Sequence, residues 1–207
     1  LKHAYFQLKE MNWNPSITEL PHFPTNPEFI DPLAKSIHPH LTDGAHLLFS
    51  YHGLPVSHVK RADSSGKHCQ KVEHCCELKV EGNSMCYAHH CMLTTLSVVG
   101  ALGITESDWS MSYQSRLGPA KWLQPSTTKT VEHLAKNGKS KIVIVSPAFL
   151  ADGLETLEEL DIEIREHFLE HGGKELTVVS CLNDDPSWIQ GLGQLVKNAF
   201  LHPLPRN

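Results

Sequence analysis

Ile142-Val143-Ile144-Val145 is a run of four β-branched apolar residues that no polar residue interrupts. A strand with one solvated face alternates apolar and polar residues, whereas an unbroken apolar run is typical of a strand buried on both faces. Both faces of a sheet are buried when helices cover each of them. The run therefore predicts a strand inside a parallel sheet.

Further β-rich and helical runs alternate on either side of this strand. The predicted strands are Ala45 to Tyr51, Trp109 to Gln114, Ile142 to Ser146 and Leu176 to Leu182. The predicted helices are Met92 to Leu102, Thr127 to Lys136, Asp152 to Leu169 and Pro186 to Phe200. Alternation of this kind implies right-handed crossovers. We therefore predict an α/β fold, a doubly wound Rossmann-like parallel sheet of about four strands flanked by helices.

The residues before the first strand predict two helices around an irregular segment. Helical spacing of apolar residues marks the first helix, at Leu1, Tyr5, Leu8 and Met11. Four prolines between residues 15 and 27 then predict irregular structure. Asp31 as N-cap, with Pro32 at the first helical position, predicts a short second helix.

Length and composition exclude several classes of protein. The chain has 207 residues, of which 40% are hydrophobic and 20% charged, as in ordinary globular domains. No apolar run approaches the roughly 18–20 residues of a membrane span. A net charge of -5 disfavours nucleic-acid binding. Because the chain opens with Leu1 and carries no targeting signal, we expect it to be part of a longer protein.

Ligands of doubly wound sheets bind beyond the carboxyl ends of the strands. The segments that follow the four predicted strands are His52-Gly53, Ser115-Arg116, Pro147 to Glu155, and Asn183. His52 is therefore either a histidine that caps a strand or a functional group at the crevice. Its position alone does not decide between these interpretations.

Three glutamates recur at intervals of four residues in the predicted helix from Asp152. They are Glu155, Glu159 and Glu163, and the predicted core stripe opposite them is Leu154, Leu157, Leu160, Ile164 and Phe168. A solvated acidic face is the ordinary reading of such a pattern. The alternative is a ladder of carboxylates that faces a cavity.

A loop after the predicted strand 109–114 carries groups that suit a flat, acidic ligand. Gln114 and Arg116 can bind a carboxylate, and Trp122 can pack on an apolar ring system. Ser115 lies between the first two. Loops of this composition are also ordinary connectors, so both interpretations stay open.

Five of the six cysteines fall within 23 residues, in a polar segment at about 64–90 that resembles an insertion. They are Cys69, Cys75, Cys76, Cys86 and Cys91, interleaved with four histidines. A disulfide framework normally belongs to small secreted domains. Zinc is expected with Cys-x-x-Cys pairs, absent here, whereas an iron-sulfur cluster needs four thiolates. The pattern favours a metal or cluster site over free or paired thiols.

Three motifs in order along the chain resemble the ferrochelatase family. They are Ser50-Tyr51-His52-Gly53-Leu54-Pro55, the pair Tyr113-Gln114-Ser115-Arg116-Leu117-Gly118 and Trp122-Leu123-Gln124-Pro125, and Leu154 through Glu163. The resemblance implies a lyase that inserts ferrous iron into protoporphyrin IX, in the last step of haem synthesis. It also implies that residues 1–207 are the second, carboxyl-terminal chelatase domain and that the amino-terminal half is absent.

The resemblance assigns roles to the residues already singled out. It implies that His52 accepts pyrrole protons or meets the metal, and that Glu155 is the carboxylate across the macrocycle. Glu159 and Glu163 then continue an acidic path for protons or iron. Gln114, Ser115, Arg116 and Trp122 belong to the porphyrin pocket. The chain alone is expected to be inactive, since the half that encloses the other face of the macrocycle is missing.

Some members of the family hold a [2Fe-2S] cluster by cysteines inserted within the domain. By resemblance, four of the five clustered cysteines are its ligands, and the choice is most open between Cys75 and Cys76. The resemblance further implies a cytoplasmic bacterial protein, and it raises peripheral membrane contact through the missing half and a homodimer as hypotheses. Two other functions stay open: a non-catalytic haem- or metal-binding module, and a chelatase for another tetrapyrrole or metal.

Overall fold

A computed structural model describes residues 2–42, 44–78 and 80–201 and shows one parallel sheet. Its strands are β1 (His46–His52), β2 (Trp109–Gln114), β3 (Lys141–Val145) and β4 (Glu175–Val178). They lie in the order β2-β1-β3-β4, and each neighbouring pair is parallel. The register places His52 beside Gln114, so β1 and β2 end together. The predicted α/β fold with a four-stranded parallel sheet is confirmed.

Helices connect the strands and cover both faces of the sheet. They are α1 (Lys2–Glu10), α2 (Pro27–Ile37), α3 (Val56–Arg61), α4 (Tyr87–Leu102), α5 (Thr127–Lys136), α6 (Arg165–Glu170) and α7 (Pro186–Leu201). Three short 3-10 helices lie at His38–His40, Glu81–Asn83 and Glu106–Asp108, and a π-helix spans Glu155–Ile164. In the described part of the chain, no helix is both long enough and apolar enough to cross a membrane.

Two apolar layers fill the space between the sheet and its helices. Along β1, Leu47 and Phe49 face the layer that contains α2, α4 and α7, whereas Leu48 faces the layer of α5, the π-helix and α6. On β3, Val143 and Ile144 divide in the same way. The unbroken apolar run of β3 is therefore buried on both faces, as predicted.

Three predicted boundaries differ from the structure by four residues or more. Helix α2 begins at Pro27 rather than at Asp31, because the Asn26 side chain caps it by accepting a hydrogen bond from the Glu28 N–H at 3.1 Å. Helix α4 begins at Tyr87, so it starts inside the segment that the sequence predicted to be irregular. Strand β4 ends at Val178, four residues before the predicted end.

The predicted apolar stripe of the helix after Asp152 is only partly correct. Leu160, Ile164 and Phe168 are buried, but Leu154 is 74% exposed and Leu157 is 58% exposed. The predicted stripe assumed α-helical turns, whereas i→i+5 hydrogen bonding in the π-helix turns the early residues away from the core.

The predicted first helix is present as α1, but its predicted apolar stripe is largely exposed to solvent. Tyr5 and Met11 of its predicted apolar stripe are exposed, and Leu8 is half-buried. Leu1, the first residue of that stripe, lies outside the described residues. Amphipathic spacing therefore predicted the helix correctly without revealing what its apolar side packs on.

Candidate active-site cleft

An open cleft of about 600 Å³ lies beyond the carboxyl ends of β1 and β2. Its walls are the residues after these strands and one side of the π-helix that follows β3. The lining residues are His52, Ser115, Arg116, Leu117, Trp122, Leu154, Glu155, Glu158, Glu159 and Glu163. The topology therefore gathers most of the sequence-predicted site residues at the edge of the sheet where ligands of such folds bind.

His52 ends β1 and lies half-buried at the cleft. Its ring meets Phe149 edge-to-face, with 6.1 Å between the ring centroids. Its Nδ1 is buried and has no hydrogen-bond partner among the described residues. The main-chain carbonyl of His52 accepts a hydrogen bond from the Tyr87 hydroxyl at 2.9 Å, which ties the strand end to α4. The imidazole is thus held by packing against Phe149 and by its backbone.

Gln114 ends β2 beside His52 but is buried rather than part of the lining. Its Oε1 accepts a hydrogen bond from the Ser50 hydroxyl at 2.7 Å, and its Nε2 donates to the main-chain carbonyl of Glu155 at 2.8 Å. The expectation that Gln114 binds a ligand carboxylate stays a prediction, which would use the second N–H of its amide. In this structure Gln114 fixes the start of the π-helix against β2.

Ser115 holds a carboxylate of the π-helix across the cleft. Its backbone N–H donates to Glu159 Oε1 at 2.6 Å, and its hydroxyl donates to Glu159 Oε2. The residue adopts a left-handed backbone conformation with φ of 61°, which is uncommon for a non-glycine residue and is often associated with function. The two hydrogen bonds fix the Glu159 carboxylate in one orientation at the cleft.

The π-helix presents four carboxylates to the cleft where the sequence indicated three. Glu155 and Glu159 are half-buried, whereas Glu158 and Glu163 are exposed. Sequence reasoning missed Glu158 because it followed only the four-residue interval, although Glu158 lies three residues after Glu155 and residues so spaced share one side of a helix. The wider turns of the π-helix also keep residues 155, 158, 159 and 163 on the side that faces the cleft. No signal in the residues themselves marks this change of period.

Gly53 permits a close approach between the β1 and β2 loops. Its N–H donates to the Gln114 carbonyl at 2.8 Å. A Cβ at this position would lie 2.7 Å from that same carbonyl oxygen and 3.3 Å from the Trp122 ring. Trp122, which lines the cleft, donates its indole N–H to the Leu117 carbonyl at 3.0 Å. The sequence indicated a turn at Gly53 but not this contact.

Asn183 follows β4 and supports the π-helix without lining the cleft. It bonds Asp152 twice, through Nδ2 to Asp152 Oδ2 at 2.7 Å and through Oδ1 from the Asp152 N–H at 2.9 Å. Asp152 in turn accepts the Thr156 hydroxyl at 3.0 Å. Burial opposes ionisation of Asp152, but the hydrogen bond from Asn183 and those from Cys181 and Thr156 hold its pKa below the ordinary value. Asn183 is thus a supporting residue.

The five clustered cysteines lie together against the α4 side of the core. Cys69, Cys86 and Cys91 are buried, Cys75 and Cys76 are half-buried, and all are free thiols. The sulfur atoms of Cys75 and Cys76 are 3.9 Å apart. Burial, and then the neighbouring thiols of Cys75 and Cys86, raise the pKa of Cys76 to about 12. Cys75 and Cys76 are thus in contact, and Cys69 and Cys86 lie near Cys76.

Two histidines of the same segment hold the backbone of the cysteine pair in place. His68 Nε2 donates to the Cys75 carbonyl and His89 Nδ1 to the Cys76 carbonyl, each at 2.7 Å. The segment brings five thiols together, and four thiolates are the ligand set of a [2Fe-2S] cluster. The residues present fit that group.

Comparisons with known proteins give one consistent family. The family model described as Ferrochelatase matches residues 1–200. A ferrochelatase of Pseudomonas fluorescens (strain Pf0-1) is 42% identical over 203 residues, which cover 97% of this chain and 60% of the relative. A ferrochelatase of Azotobacter vinelandii is 44% identical over 177 residues, covering 84% of this chain and 52% of the relative. The chain thus spans roughly half to three fifths of the length of these two curated relatives.

A solved structure from Marinobacter aquaeolei VT8, of the CbiX protein assigned to cobalamin (vitamin B12) biosynthesis, also matches. It is 15% identical, with a TM-score of 0.44, over 76% of this chain and 98% of that one. At this level the match supports no argument about function. The family model and the curated relatives, by contrast, cover most of the sequence at high identity, and they show that this chain belongs to the ferrochelatase family.

Proposed function

We propose that the chain is the carboxyl-terminal part of a ferrochelatase, in which it supplies one wall of the site that inserts ferrous iron into protoporphyrin. The observation that carries the proposal is that His52 and the glutamates of the π-helix line one cleft. The matched residues cover only 52–60% of the named relatives, which supports the idea that a further part of the protein completes the site.

Metallation exchanges one cation for two protons, so the site must handle both. The porphyrin gives up its two pyrrole N–H protons as ferrous iron binds the four ring nitrogens. His52 suits the role of proton acceptor, since an imidazole changes protonation near neutral pH. Glu155, on the other wall of the cleft, receives iron or a proton on the opposite face of the macrocycle. His52 and Glu155 are thus the proposed catalytic residues.

The remaining cleft residues fit the delivery of iron and the positioning of a flat dicarboxylate. Carboxylates attract hard dications, and Glu159 and Glu163 continue the acidic wall outward from Glu155. Ser115 fixes Glu159 by hydrogen bonds, whereas Glu163 is exposed to solvent. Arg116 and Trp122 line the same cleft and suit a propionate and the porphyrin face.

Iron insertion by a chimaera tests the function. In the chimaera this chain replaces the matched 203-residue region of the Pseudomonas fluorescens ferrochelatase. We expect ferrous iron and protoporphyrin to yield the haem absorption spectrum with the chimaera but not with the isolated chain. A folded chimaera that binds porphyrin without metallating it would favour a haem- or metal-binding module. Insertion of cobalt in preference to iron would favour a chelatase for another metal.

The proposal includes a [2Fe-2S] cluster on four of the five clustered cysteines. Burial, and then thiols of this set, raise the pKa values of Cys69 and Cys76, so Cys69, Cys75, Cys76 and Cys86 lie near one another. Cys91 lies within α4 and is the most buried of the five. We therefore assign Cys91 as the cysteine outside the ligand set.

Matched serine variants test that assignment. After anaerobic purification of the full chain, we expect the visible absorption of a [2Fe-2S] cluster in the parent and in Cys91→Ser. Cys86→Ser should lose this absorption and become sensitive to protease between residues 64 and 86, while the sheet remains folded. A colourless parent with one zinc per chain would contradict the cluster. Loss of colour in Cys91→Ser alone would contradict the ligand set.

The proposal also covers location and partners. Six free thiols suit the cytoplasm, where cysteines stay reduced. The partners are then porphyrin, ferrous iron and the amino-terminal half of the same protein. Peripheral membrane contact through that half and a homodimer are parts of the proposal that fractionation and sedimentation of the whole protein would test.

A further inference from the structure

A second group of metal-ligand side chains lies between α5 and α6, outside the cleft lining. It consists of Glu132 on α5, His167 on α6 and His171 directly after α6. Each offers a ligand atom, and these atoms all lie within 4.8 Å of one another. Within residues 2–42, 44–78 and 80–201, this is the one group of three or more such residues that meets that distance.

The geometry is close to that of a bound cation. His167 Nε2 lies 3.8 Å from Glu132 Oε2, and His171 Nε2 lies 4.0 Å from Glu132 Oε1. The two imidazole rings have centroids 4.2 Å apart. Metal–ligand bonds of about 2.0–2.2 Å around a tetrahedral zinc ion place the ligand atoms roughly 3.4 Å apart. Small side-chain movements would therefore bring the three residues into coordination.

Hydrogen bonding leaves the correct ring nitrogens free to bind metal. His171 Nδ1 lies 2.7 Å from the His167 carbonyl, which can only accept, so Nδ1 carries the proton and Nε2 has a bare lone pair. A metal-bound histidine usually donates its other ring N–H in this way. His167 Nε2 is buried without a hydrogen-bond partner among the described residues. A buried nitrogen without a hydrogen bond is unfavourable, and coordination of a cation would give this nitrogen a partner.

Lys136 is the competitor for the carboxylate. Its ammonium group pairs with Glu132 Oε1 from the next turn of α5. A cation therefore has to displace an exposed lysine to reach this oxygen of the carboxylate.

We propose that Glu132, His167 and His171 bind a divalent cation of the zinc class, with a water molecule in the fourth position. Two imidazoles and one carboxylate are a ligand set that zinc accepts with an open site. The ion fastens α5 to α6. Because α6 continues directly from the π-helix, the site steadies the far end of the segment that carries the cleft glutamates.

Zinc binding by matched variants tests this site without any use of iron insertion. The full chain, His167→Gln/His171→Gln and His133→Gln are dialysed against Zn²⁺, and bound zinc per chain is measured. Any zinc held by the cysteines is common to all three, so differences report this site. We expect the double variant to bind one zinc fewer than the parent. His133, exposed on α5 beside Glu132, is the control and should bind as the parent does.

A second pair of variants keeps the proposal falsifiable if the double variant does not fold. Glu132→Gln preserves side-chain shape and should weaken zinc binding at this site by about tenfold or more, in the range seen when a metal site loses a supporting group. Lys136→Gln removes the competitor and should tighten it. Equal zinc content in parent and double variant, or unchanged affinity in folded Glu132→Gln, would overturn the proposal.

Discussion

Strand β1 carries a histidine at each end, and the two residues have opposite surroundings. His46, at the amino end, is 3% exposed, and its Nε2 lies 2.9 Å from the Ser110 hydroxyl on β2. His52, at the carboxyl end, lines an open cleft with four glutamates. Both have a buried Nδ1 without a partner among the described residues. The same side chain on the same strand is therefore closed in by packing at one end and open to a ligand at the other.

The difference follows from the direction of the strands. All four run parallel, so the loops that follow β1 and β2 and the π-helix after β3 meet at one edge of the sheet. Only that edge receives His52, Ser115 and the glutamates together. At the other edge, burial lowers the pKa of His46 to about 4, with a further contribution from Lys139. His46 is thus a neutral, structural residue. The end of the strand at which each histidine lies determines whether it can meet a ligand.

Replacing the two histidines one at a time should give the largest difference in turnover. In the iron-inserting chimaera, His52→Ala should lower turnover by roughly 10²–10⁴-fold, the range for loss of a positioned proton acceptor. His46→Gln should leave turnover within a few-fold of the parent, because His46 lies at the opposite end of the strand. Initial rates of haem formation measure both. Near-parental turnover in His52→Ala would show that His52 is not the proton acceptor.

The glutamates should differ from one another along the cleft wall. Glu155→Gln should lower turnover well below that of Glu163→Gln, because Glu155 is half-buried at the start of the π-helix and Glu163 is exposed toward its end. Each change removes a negative charge from an acidic surface, so stability should change little. The same rate assay, with urea unfolding as control, measures both. Equal, parental rates would restore the interpretation of a solvated acidic face.

Gly53 lies where the ends of β1 and β2 approach each other, so a larger side chain at this position should lower the stability of the chain. Gly53→Ala should lower the free energy of unfolding by about 1–3 kcal/mol, as expected for overpacking against the Gln114 carbonyl. Gly193→Ala in α7 is the control, since its Cβ meets no atom within 4 Å and alanine favours a helix. Urea unfolding of the isolated chain measures both. A Gly53→Ala chain as stable as the parent would mean that the loops separate freely.

Much of this architecture could be predicted because it rests on local pattern. The apolar run of β3 and the alternation around it predicted the parallel sheet, and strand ends pointed to His52 and Ser115. Resemblance then drew attention to the glutamates as a wall of the site. The predictions were weakest where a residue's partner lies far away in sequence, as for Gln114, whose amide is bonded to Ser50 and Glu155.

Two features had no local signal at all. The π-helix turns Leu157 into solvent, yet its sequence is compatible with an α-helix. The group of Glu132, His167 and His171 joins two helices separated by β3, so its spacing suggests no shared site. Both features depend on tertiary packing. Periodicity therefore predicts which elements exist better than it predicts which of their faces meet.

The smallest expected effect is that of His46 on the pH dependence of stability. Its pKa is about 4 in the folded chain and 6.5 ordinarily, so between these values the unfolded chain binds the extra proton and stability falls as pH falls. From pH 7 to 5.5 this histidine should cost about 1 kcal/mol of unfolding free energy. Over that range, His46→Gln should lose about 1 kcal/mol less unfolding free energy than the parent. The carboxylates that the two chains have in common lower the stability of both as the pH falls. Parallel curves of stability against pH would mean that folding does not lower the pKa of His46, and the contrast between the two ends of β1 would then be one of access to the cleft alone.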